Sequence, residues 1–385
     1  MPLPVPDPDA LAHSGRLTAH IAEAVATEGG WIPFARFMEL VLYAPGLGYY
    51  SGGAHKFGAA GDFVTAPEMT PAFAQTLATQ AVQVMNESRP HILEVGAGSG
   101  RLAADLLAEL SLRKALPESY AILELSGELR ERQRQTLAAT VPDLLPRVTW
   151  LDRLPERFDG LVLANELLDA MPVHLVRWLP DNILERGVAC NATGFVWEDR
   201  PAAGALHARA GILAGEGVPC DDYLSEVGLA AAAWTASWGT ILGRGALLLI
   251  DYGFPRREFY HPQRNAGTLM CHYRHHAHPD PFYLPGLQDI TAHVDFTAIA
   301  EAGTEAGLDF LGYTTQAQFL FNCGLTEVLS RTPADDPRRY LPLANAAQKL
   351  ISPAEMGELF KVIALGRGIT APLVGFIAGD RSATL

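Results

Sequence analysis

The sequence predicts an α/β protein built on a doubly wound, mostly parallel sheet. Three observations favour this fold class: short apolar segments typical of buried strands, helical periodicity between them, and polar residues where the strands end. Strands that alternate with helices are typical of parallel sheets, whose ligands bind beyond the carboxyl ends of the strands. The predicted strands are 91–95, 119–124, 147–151, 160–165 and 246–250, and the predicted helices between the earlier ones are 100–111 and 127–139.

The most informative segment of the chain, residues 92–102, follows from the first of these strands. Glu94 lies near the strand end, and Gly96, Gly98 and Gly100 come directly before the helix. Glycine has no Cβ, so a ligand can reach the backbone of such a turn. The N-terminus of the next helix offers N–H groups and a partial positive charge to a ligand carboxylate. The turn therefore predicts a site for a small cofactor.

Two classes of cofactor use a glycine turn of this kind. A dinucleotide site requires G-x-G-x-x-G, whereas this chain has Arg101 at the third position. The pattern Glu-x-Gly-x-Gly-x-Gly instead resembles motif I of the class I methyltransferases, which bind S-adenosylmethionine. Glu124 ends the second strand, where a carboxylate can accept both ribose hydroxyls in either class. A dinucleotide site and a purely structural turn remain the alternatives.

Composition excludes several other classes. The 385 residues are 49% hydrophobic, enough for a large core in one elaborated domain or two. The net charge of −14 argues against a nucleic-acid groove, and no apolar run is long enough to span a membrane. The N-terminus resembles neither a signal nor a transit peptide, which favours a bacterial-type cytoplasmic protein. The scattered cysteines favour a reducing compartment: Cys190, Cys220, Cys271 and Cys323.

The N-terminal region, residues 1–88, is predicted to cover the cofactor site. We expect helices at 8–30 and 31–43, and a third helix that starts with Thr70 as N-cap and Pro71 at its first position. Between them, residues 44–69 form a long loop, and long loops are often functional. Asp62 and Glu68 in this loop are predicted to close over the cofactor, with a surface turn as the alternative.

The remaining residues, 89–385, are assigned to the cofactor-binding domain. We expect a strand-rich insertion at 173–226, with a turn at 179–182, and a helix over 226–242. A second long loop, over 251–295, is placed on the substrate side. The segments that follow are predicted to be a helix from Asp295 or Phe296 to about 307, helices within 316–358, and a last hairpin of strands at 309–314 and 360–366.

Asn165 and Glu166 are the strongest candidates for chemistry because they follow the fourth strand. A carboxylate there can hold a guanidinium by two charge-assisted hydrogen bonds, and Asn165 could hold an amine or the amino-acid end of the cofactor. The alternative is a capping Asn beside a solvated Glu. His293 lies among carboxylates and could accept a proton near neutral pH, or it could be a packed polar residue.

The histidine-rich segment 271–278 could suggest a metal site. Its residues lack the spacing of a metal-ligand set, and no pair of acids accompanies them. We therefore predict a solvated histidine-rich loop and no metal.

Taken together, the motifs resemble one family, the MidA-like methyltransferases, which include the mitochondrial complex I assembly factor that methylates arginine. The resemblance implies a class I methyltransferase fold with an inserted region and S-adenosylmethionine as methyl donor. For the mitochondrial member it also implies symmetric dimethylation of an arginine on a complex I subunit. The segments that carry it are Tyr49-Tyr50, 61–68, 93–100, 165–172, Asp251-Tyr-Gly253, Gly267-Thr-Leu269 and 289–296.

These observations predict a protein arginine N-methyltransferase with a protein substrate and no nucleic-acid partner. They leave the oligomeric state undetermined, with a homodimer as one alternative. An assembly chaperone with incidental catalysis and a small-molecule methyltransferase are the alternatives. The predicted catalytic residues are Glu166, assisted by Asn165, Asp169 and His293. The predicted cofactor-binding residues are Glu94, Gly96, Ala97, Gly98, Gly100, Glu124, Asp152, Asn165, Asp62 and Glu68.

Overall fold

A computed structural model describes residues 3–52 and 65–385. The described chain divides into two units. The first comprises the residues up to 52 with Leu168–Ala233 and Arg256–Asp295, and the second comprises 65–167 with Trp234–Pro255 and Phe296–Leu385. Residues 65–88, which the sequence grouped with the N-terminal region, thus lie in the second unit.

The strands and helices of the described residues are numbered in chain order. The strands are β1 (Trp31–Pro33), β2 (His91–Val95), β3 (Ser119–Leu123), β4 (Val148–Leu151), β5 (Phe158–Asn165), β6 (His174–Trp178), β7 (Ile183–Asn191), β8 (Gly194–Pro201), β9 (Tyr223–Val227), β10 (Leu242–Phe254), β11 (Met270–Tyr273), β12 (His276–His278), β13 (Asp289–Thr291), β14 (Val294–Asp295), β15 (Asp309–Thr315) and β16 (Phe360–Arg367). The helices are α1 (Pro8–Thr27), α2 (Phe34–Tyr43), α3 (Ala66–Met69), α4 (Ala72–Glu87), α5 (Arg101–Leu112), α6 (Gly127–Thr140), α7 (Gly204–Gly215), α8 (Leu229–Ile241), α9 (Arg256–Phe259), α10 (Phe296–Glu305), α11 (Gln316–Asn322), α12 (Leu325–Ser330) and α13 (Pro337–Ile351).

The sheet of the second unit has the predicted doubly wound topology. Its strand order is β15-β16-β10-β5-β2-β3-β4. The five strands from β10 to β4 are parallel, and β16 lies antiparallel between β10 and β15 as the last hairpin. The parallel order places the carboxyl ends of β2, β3, β4 and β5 at one edge, where the candidate residues follow.

Helix α5 shows why the second unit folds as the sequence predicts. Leu102, Leu106, Leu107 and Leu110 recur at helical spacing, and all four are buried in the core of the unit. Helix α6 begins after Ser126, whose hydroxyl accepts the Leu129 N–H at 3.3 Å as an N-cap. The helices predicted at 100–111 and 127–139 therefore form within about two residues of their expected ends.

The first unit contains two smaller sheets. One has the order β1-β7-β6-β9, and β8 also pairs with β7. The other has the order β12-β11-β13. Helices α1 and α2 share a buried core with these strands. The strand-rich insertion predicted over 173–226 is therefore present, although it also contains the helix α7.

Two predicted helix boundaries are wrong because distant strands compete for the chain. Trp31–Pro33 forms a strand against β7 rather than the start of a helix, and Gly187 makes room for it. A Cβ on Gly187 would lie 2.2 Å from the Ile32 carbonyl oxygen. Glu226 belongs to β9 and is paired with Leu175, so helix α8 starts only at Leu229.

The predicted loop over 251–295 is also wrong, since it contains β11, β12 and β13. The histidine-rich segment is a hairpin between β11 and β12. Its turn is formed by Arg274 and His275, which have φ values of +47° and +64°. Neither residue is the Asn or Gly that usually marks such a turn, which is why the pattern concealed it. Among the residues that the structure describes, no helix has the length and apolar character needed to cross a membrane.

Candidate active site

The glycine turn lies between β2 and α5. Gly96, Gly98 and Gly100 have φ values of +71°, +52° and +81°, a region that glycine enters without strain. The Gly100 N–H donates to the Ala97 carbonyl at 2.8 Å, and the Gly96 N–H donates to the Leu123 carbonyl at 3.2 Å. The turn therefore needs glycine for its own shape.

Glu94 lies near the end of β2, just before this turn, and it is buried rather than exposed at the surface. It is 2% exposed, and the Tyr120 hydroxyl donates to its Oε2 at 2.6 Å. Burial raises the pKa of Glu94 to about 7, the charge of Glu124 adds to the increase, and the Tyr120 hydrogen bond opposes it. Glu94 thus joins β2 to β3 just before the turn, and its contact with the cofactor stays a prediction.

Glu124 follows directly after β3, as predicted. Its Oε1 accepts the Ser126 N–H at 2.9 Å, and its Oε2 accepts from Gln133 Nε2 at 3.1 Å. Burial raises the pKa of Glu124, while these two donors lower it. Each carboxylate oxygen keeps a lone pair for a further donor. The next residue, Leu125, is a leucine that is 76% exposed at the same strand end.

Gln133 is a residue that the sequence reasoning missed. It lies on α6, is fully buried, and makes three side-chain hydrogen bonds, two of which reach the glycine turn and Glu124. The buried positions of α6 are Leu129, Gln133 and Leu137, one helical turn apart. A glutamine in the middle of an apolar stripe was therefore the available signal.

Asn165 is the last residue of β5, and Glu166 follows it directly. Asn165 Nδ2 donates to Glu166 Oε1 at 3.0 Å. Glu166 has a φ of +51°, which is unusual for a residue with a side chain. Its N–H donates to the Ile250 carbonyl at 2.9 Å, and the next N–H, from Leu167, donates to Asp251 Oδ2 at 3.1 Å. Residues of β10 therefore accept hydrogen bonds from the backbone N–H groups of Glu166 and of the residue after it, and so hold the unusual conformation of Glu166.

The remaining cofactor-binding candidates have different surroundings. The Ser99 hydroxyl in the glycine turn donates to Glu68 Oε1, and the Arg101 N–H donates to Ser99 Oγ at 3.3 Å. Glu68 thus contacts the turn, and its closure over the cofactor stays a prediction. Asp152 is exposed just after β4. Asp62 lies outside the described residues.

Asp169 and His293 belong to the first unit, where they are anchored through neighbouring backbone. The Asp169 carbonyl accepts the Ala292 N–H at 3.0 Å, and the His293 N–H donates to Thr268 Oγ1 at 3.0 Å. The buried Glu226 holds Thr268 in turn, since its carboxylate accepts the N–H groups of Thr268 and Leu269 at 2.7 and 2.8 Å. The segment Gly267-Thr-Leu269 is therefore a carboxylate-bound turn that supports His293.

The first unit also contains a pair between the partly buried Tyr50 and the buried carboxylate of Asp289. The Tyr50 hydroxyl lies 3.0 Å from both carboxylate oxygens of Asp289. The ring of Tyr43 stacks on that of Tyr50 at 5.5 Å. Burial raises the pKa of Tyr50 well above its ordinary value, and the charges of Asp289 and Asp169 raise it further. Asp169 and Asp289 therefore act on the same hydroxyl. Within residues 3–52 and 65–385, no group of three or more His, Cys, Asp or Glu side chains is placed to hold a metal ion.

A sheet of this order, with a glycine turn after the middle one of its five parallel strands and an acid after the next strand along the chain, defines a class I S-adenosylmethionine-dependent methyltransferase. A family model described as "Putative S-adenosyl-L-methionine-dependent methyltransferase" matches residues 74–314. The chain therefore belongs to this family, the MidA-like methyltransferases, as the sequence motifs predicted.

Similar proteins support this assignment. A Burkholderia thailandensis protein, described as a "likely methyl transferase" and crystallised with S-adenosyl-homocysteine, is 56% identical with a TM-score of 0.96, and the match covers 100% of both chains. Protein arginine methyltransferase NDUFAF7 of Mus musculus is 30% identical over 87% of this chain and 81% of its own. Its homologue in Drosophila melanogaster is 29% identical over 96% of this chain and 91% of its own. The chain is thus an S-adenosylmethionine-dependent methyltransferase.

Proposed function

We propose that this enzyme methylates an arginine side chain of a protein. The observation that carries the proposal is the strained backbone of Glu166 at the end of β5. A side chain in the left-handed region costs roughly 1–2 kcal/mol, so such a conformation persists only where the surroundings enforce it. Here the hydrogen bonds to Ile250 and Asp251 enforce the backbone conformation, and the Asn165 amide orients the carboxylate by donating to its Oε1.

The described residues fit S-adenosylmethionine. The turn from Gly96 to Gly100 has no side chain larger than those of Ala97 and Ser99, so its backbone is accessible to the amino-acid end of the ligand. Asn165 Oδ1 is buried and has no hydrogen-bond partner among the described residues, as expected of an acceptor for an ammonium group. Glu124 would accept the ribose hydroxyls. Leu125 and Asp152 would flank the adenine.

A carboxylate at position 166 suits a guanidinium acceptor. When bound, S-adenosylmethionine supplies an electrophilic methyl group. Glu166 would hold the guanidinium by charge-assisted hydrogen bonds and direct one nitrogen, so that orientation supplies much of the rate. Asp169, three residues further along the chain, would add negative charge. His293 would accept the proton that the nitrogen releases.

The relatives support this choice of acceptor, since NDUFAF7 of Mus musculus and its Drosophila homologue are named as protein arginine methyltransferases. At about 30% identity the acceptor protein does not carry over. The link to respiratory complex I, the symmetry of dimethylation and the cytoplasmic location stay predictions.

The proposal is tested by methylation of proteins in the lysate of a strain that lacks the gene. Its lysate is incubated with the purified enzyme and S-adenosylmethionine that carries an isotope-labelled methyl group, and the protein fraction is hydrolysed and analysed by mass spectrometry. We expect label in methylarginine, and none with the Glu166→Gln variant. Glu156→Gln changes an exposed glutamate of the same unit and serves as the matched control, which should label fully. Label confined to other amino acids or to small molecules would exclude arginine as the acceptor.

A further inference from the structure

The side chain of Gln133 joins three parts of the second unit. Its Nε2 donates to the Gly98 carbonyl at 3.0 Å and to Glu124 Oε2 at 3.1 Å, while its Oε1 accepts the Trp150 Nε1–H at 2.8 Å. Gly98 follows β2, Glu124 follows β3, and Trp150 belongs to β4. One buried amide therefore spans the glycine turn and the two neighbouring strand ends.

The orientation of this amide is fixed by its partners. The Trp150 indole can only donate, so it must face the amide oxygen. The Gly98 carbonyl and an ionised Glu124 can only accept, so they must face the nitrogen. The buried Gln133 therefore uses both of its N–H groups and its oxygen at once, and no flipped arrangement satisfies all three partners.

The backbone of Gln133 also sets the shape of the turn. A Cβ on Gly100 would lie 3.0 Å from the Gln133 Cα, closer than most real contacts. Helix α6 thus packs directly against the start of α5 at this point, and the Gln133 side chain continues the contact to Gly98. Both the packing and the hydrogen bonds couple the position of the turn to that of Glu124.

We propose that Gln133 is a positioning residue for the adenosyl ligand, because it aligns the glycine turn with the carboxylate that would accept the ribose hydroxyls. The inference rests on the role proposed above for Glu124. Gln133 directs Glu124 Oε2 through one N–H and leaves the other lone pairs of the carboxylate for the ribose. Its second N–H holds Gly98, so the amino-acid and ribose subsites move together.

Gln133→Glu is the decisive variant because it keeps the shape of the side chain. The introduced carboxylate still accepts the Trp150 N–H, whereas both donor bonds are lost and a second carboxylate lies next to Glu124. At low pH the two carboxyl groups can share a proton and partly restore the bond. At high pH both ionise and repel each other. Binding of the ligand should therefore become pH-dependent, which loss of packing alone would not produce.

The experiment is isothermal titration of the full-length enzyme with S-adenosylhomocysteine between pH 6 and pH 9. We expect Gln133→Glu to bind within a few-fold of the unmodified enzyme at the low end and at least about tenfold more weakly at the high end, as repulsion of two neighbouring carboxylates requires. Gln135→Glu introduces the same change at an exposed position of α6 and should show the affinity and pH profile of the unmodified enzyme. Circular dichroism at each pH verifies that the variants are folded.

A second variant protects the test against misfolding. Gln133→Met keeps the volume and removes all three hydrogen bonds, so it should bind about tenfold more weakly at every pH, without a pH trend. If Gln133→Glu and Gln133→Met bind as tightly as the unmodified enzyme throughout, the inference is wrong, although the methyltransferase still binds its ligand. If the unmodified enzyme methylates no arginine yet shows the expected Gln133 effects, only the acceptor proposal fails.

Discussion

Each unit of this enzyme contains a tyrosine that donates to a buried carboxylate, but the two pairs arise from the chain in different ways. Tyr120 and Glu94 are 26 residues apart and lie on the neighbouring parallel strands β3 and β2. Tyr50 and Asp289 are 239 residues apart, and one follows a helix while the other begins a short strand. The first pair lies within one βαβ segment, on the strands on either side of the glycine turn and helix α5, whereas the second depends on contacts that no local pattern encodes.

The comparison separates two kinds of site. The site in the second unit is made largely of backbone shape, which needs glycine at defined positions. The cluster in the first unit is made of side chains from remote segments. We therefore expect changes at the glycine turn to act on ligand binding, and changes at the Tyr50–Asp289 pair to act on the stability of the first unit.

The largest effect is expected for Gly100→Val. The new side chain would require a β-branched residue at a φ of +81° and would meet the Gln133 backbone. We expect S-adenosylhomocysteine to bind at least about a hundredfold more weakly by calorimetry, which corresponds to about 2.7 kcal/mol. Gly127→Val is the control because a Cβ there meets no atom of the described residues within 4 Å. Equal affinity of the two variants would show that the turn does not form the cofactor site.

A smaller effect is expected from the ionisation of Glu94. Its pKa of about 7 lies above its ordinary value of 4.5, so its contribution to stability is present in full below pH 4.5 and is lost as the pH rises through 7. The Glu94→Gln variant has no carboxyl group to ionise here, so its stability does not show this loss. The difference in the free energy of unfolding between the variant and the unmodified enzyme should therefore change by roughly 2 kcal/mol between pH 5 and pH 8. Urea unfolding at both pH values measures it. Glu156→Gln, at an exposed position, should show no such change, and a flat difference for Glu94→Gln would refute the assignment.

The smallest effects compare the two tyrosines directly. Tyr120→Phe and Tyr50→Phe each remove one donor from a buried carboxylate, which should lower the free energy of unfolding by about 1 kcal/mol. Only Tyr120→Phe should also weaken binding of S-adenosylhomocysteine, because Glu94 lies on the strand that leads directly into the glycine turn. A loss of affinity in Tyr50→Phe of the same size would remove the distinction between the two pairs.

The parts of the fold that were predictable are those with local signals. Strands β2 to β5 and helices α5 and α6 follow from apolar periodicity within single segments, and the glycine turn follows from its spacing. Trp31–Pro33 could not be assigned in this way, because it becomes a strand only through β7, more than 150 residues away. The strands β11 to β13 were missed for the same reason, since each is stabilised by its neighbours rather than by its own pattern.

The candidate site shows the same division. Glu124, Asn165 and Glu166 could be predicted as candidates because they lie at the carboxyl ends of strands in a parallel sheet. Gln133 and Glu226 were missed because burial of a polar residue is a property of the folded chain. Glu226 was assigned to a helix, yet it is a buried strand residue whose carboxylate holds the turn at Gly267. A polar residue on a predicted apolar stripe is the one local sign of such a position.

The measurement that tests the account most directly separates ligand binding from methyl transfer in Glu166→Gln. Calorimetry gives the affinity for S-adenosylhomocysteine, and mass spectrometry gives the rate of methylarginine formation on the protein that the labelling experiment identifies. If Glu166 holds the guanidinium, the rate should fall at least about a hundredfold while the affinity stays within about threefold, since a charge-assisted bidentate contact to the acceptor is lost. A variant that retains its rate, or that loses affinity and rate together, would contradict the role of Glu166 in holding arginine.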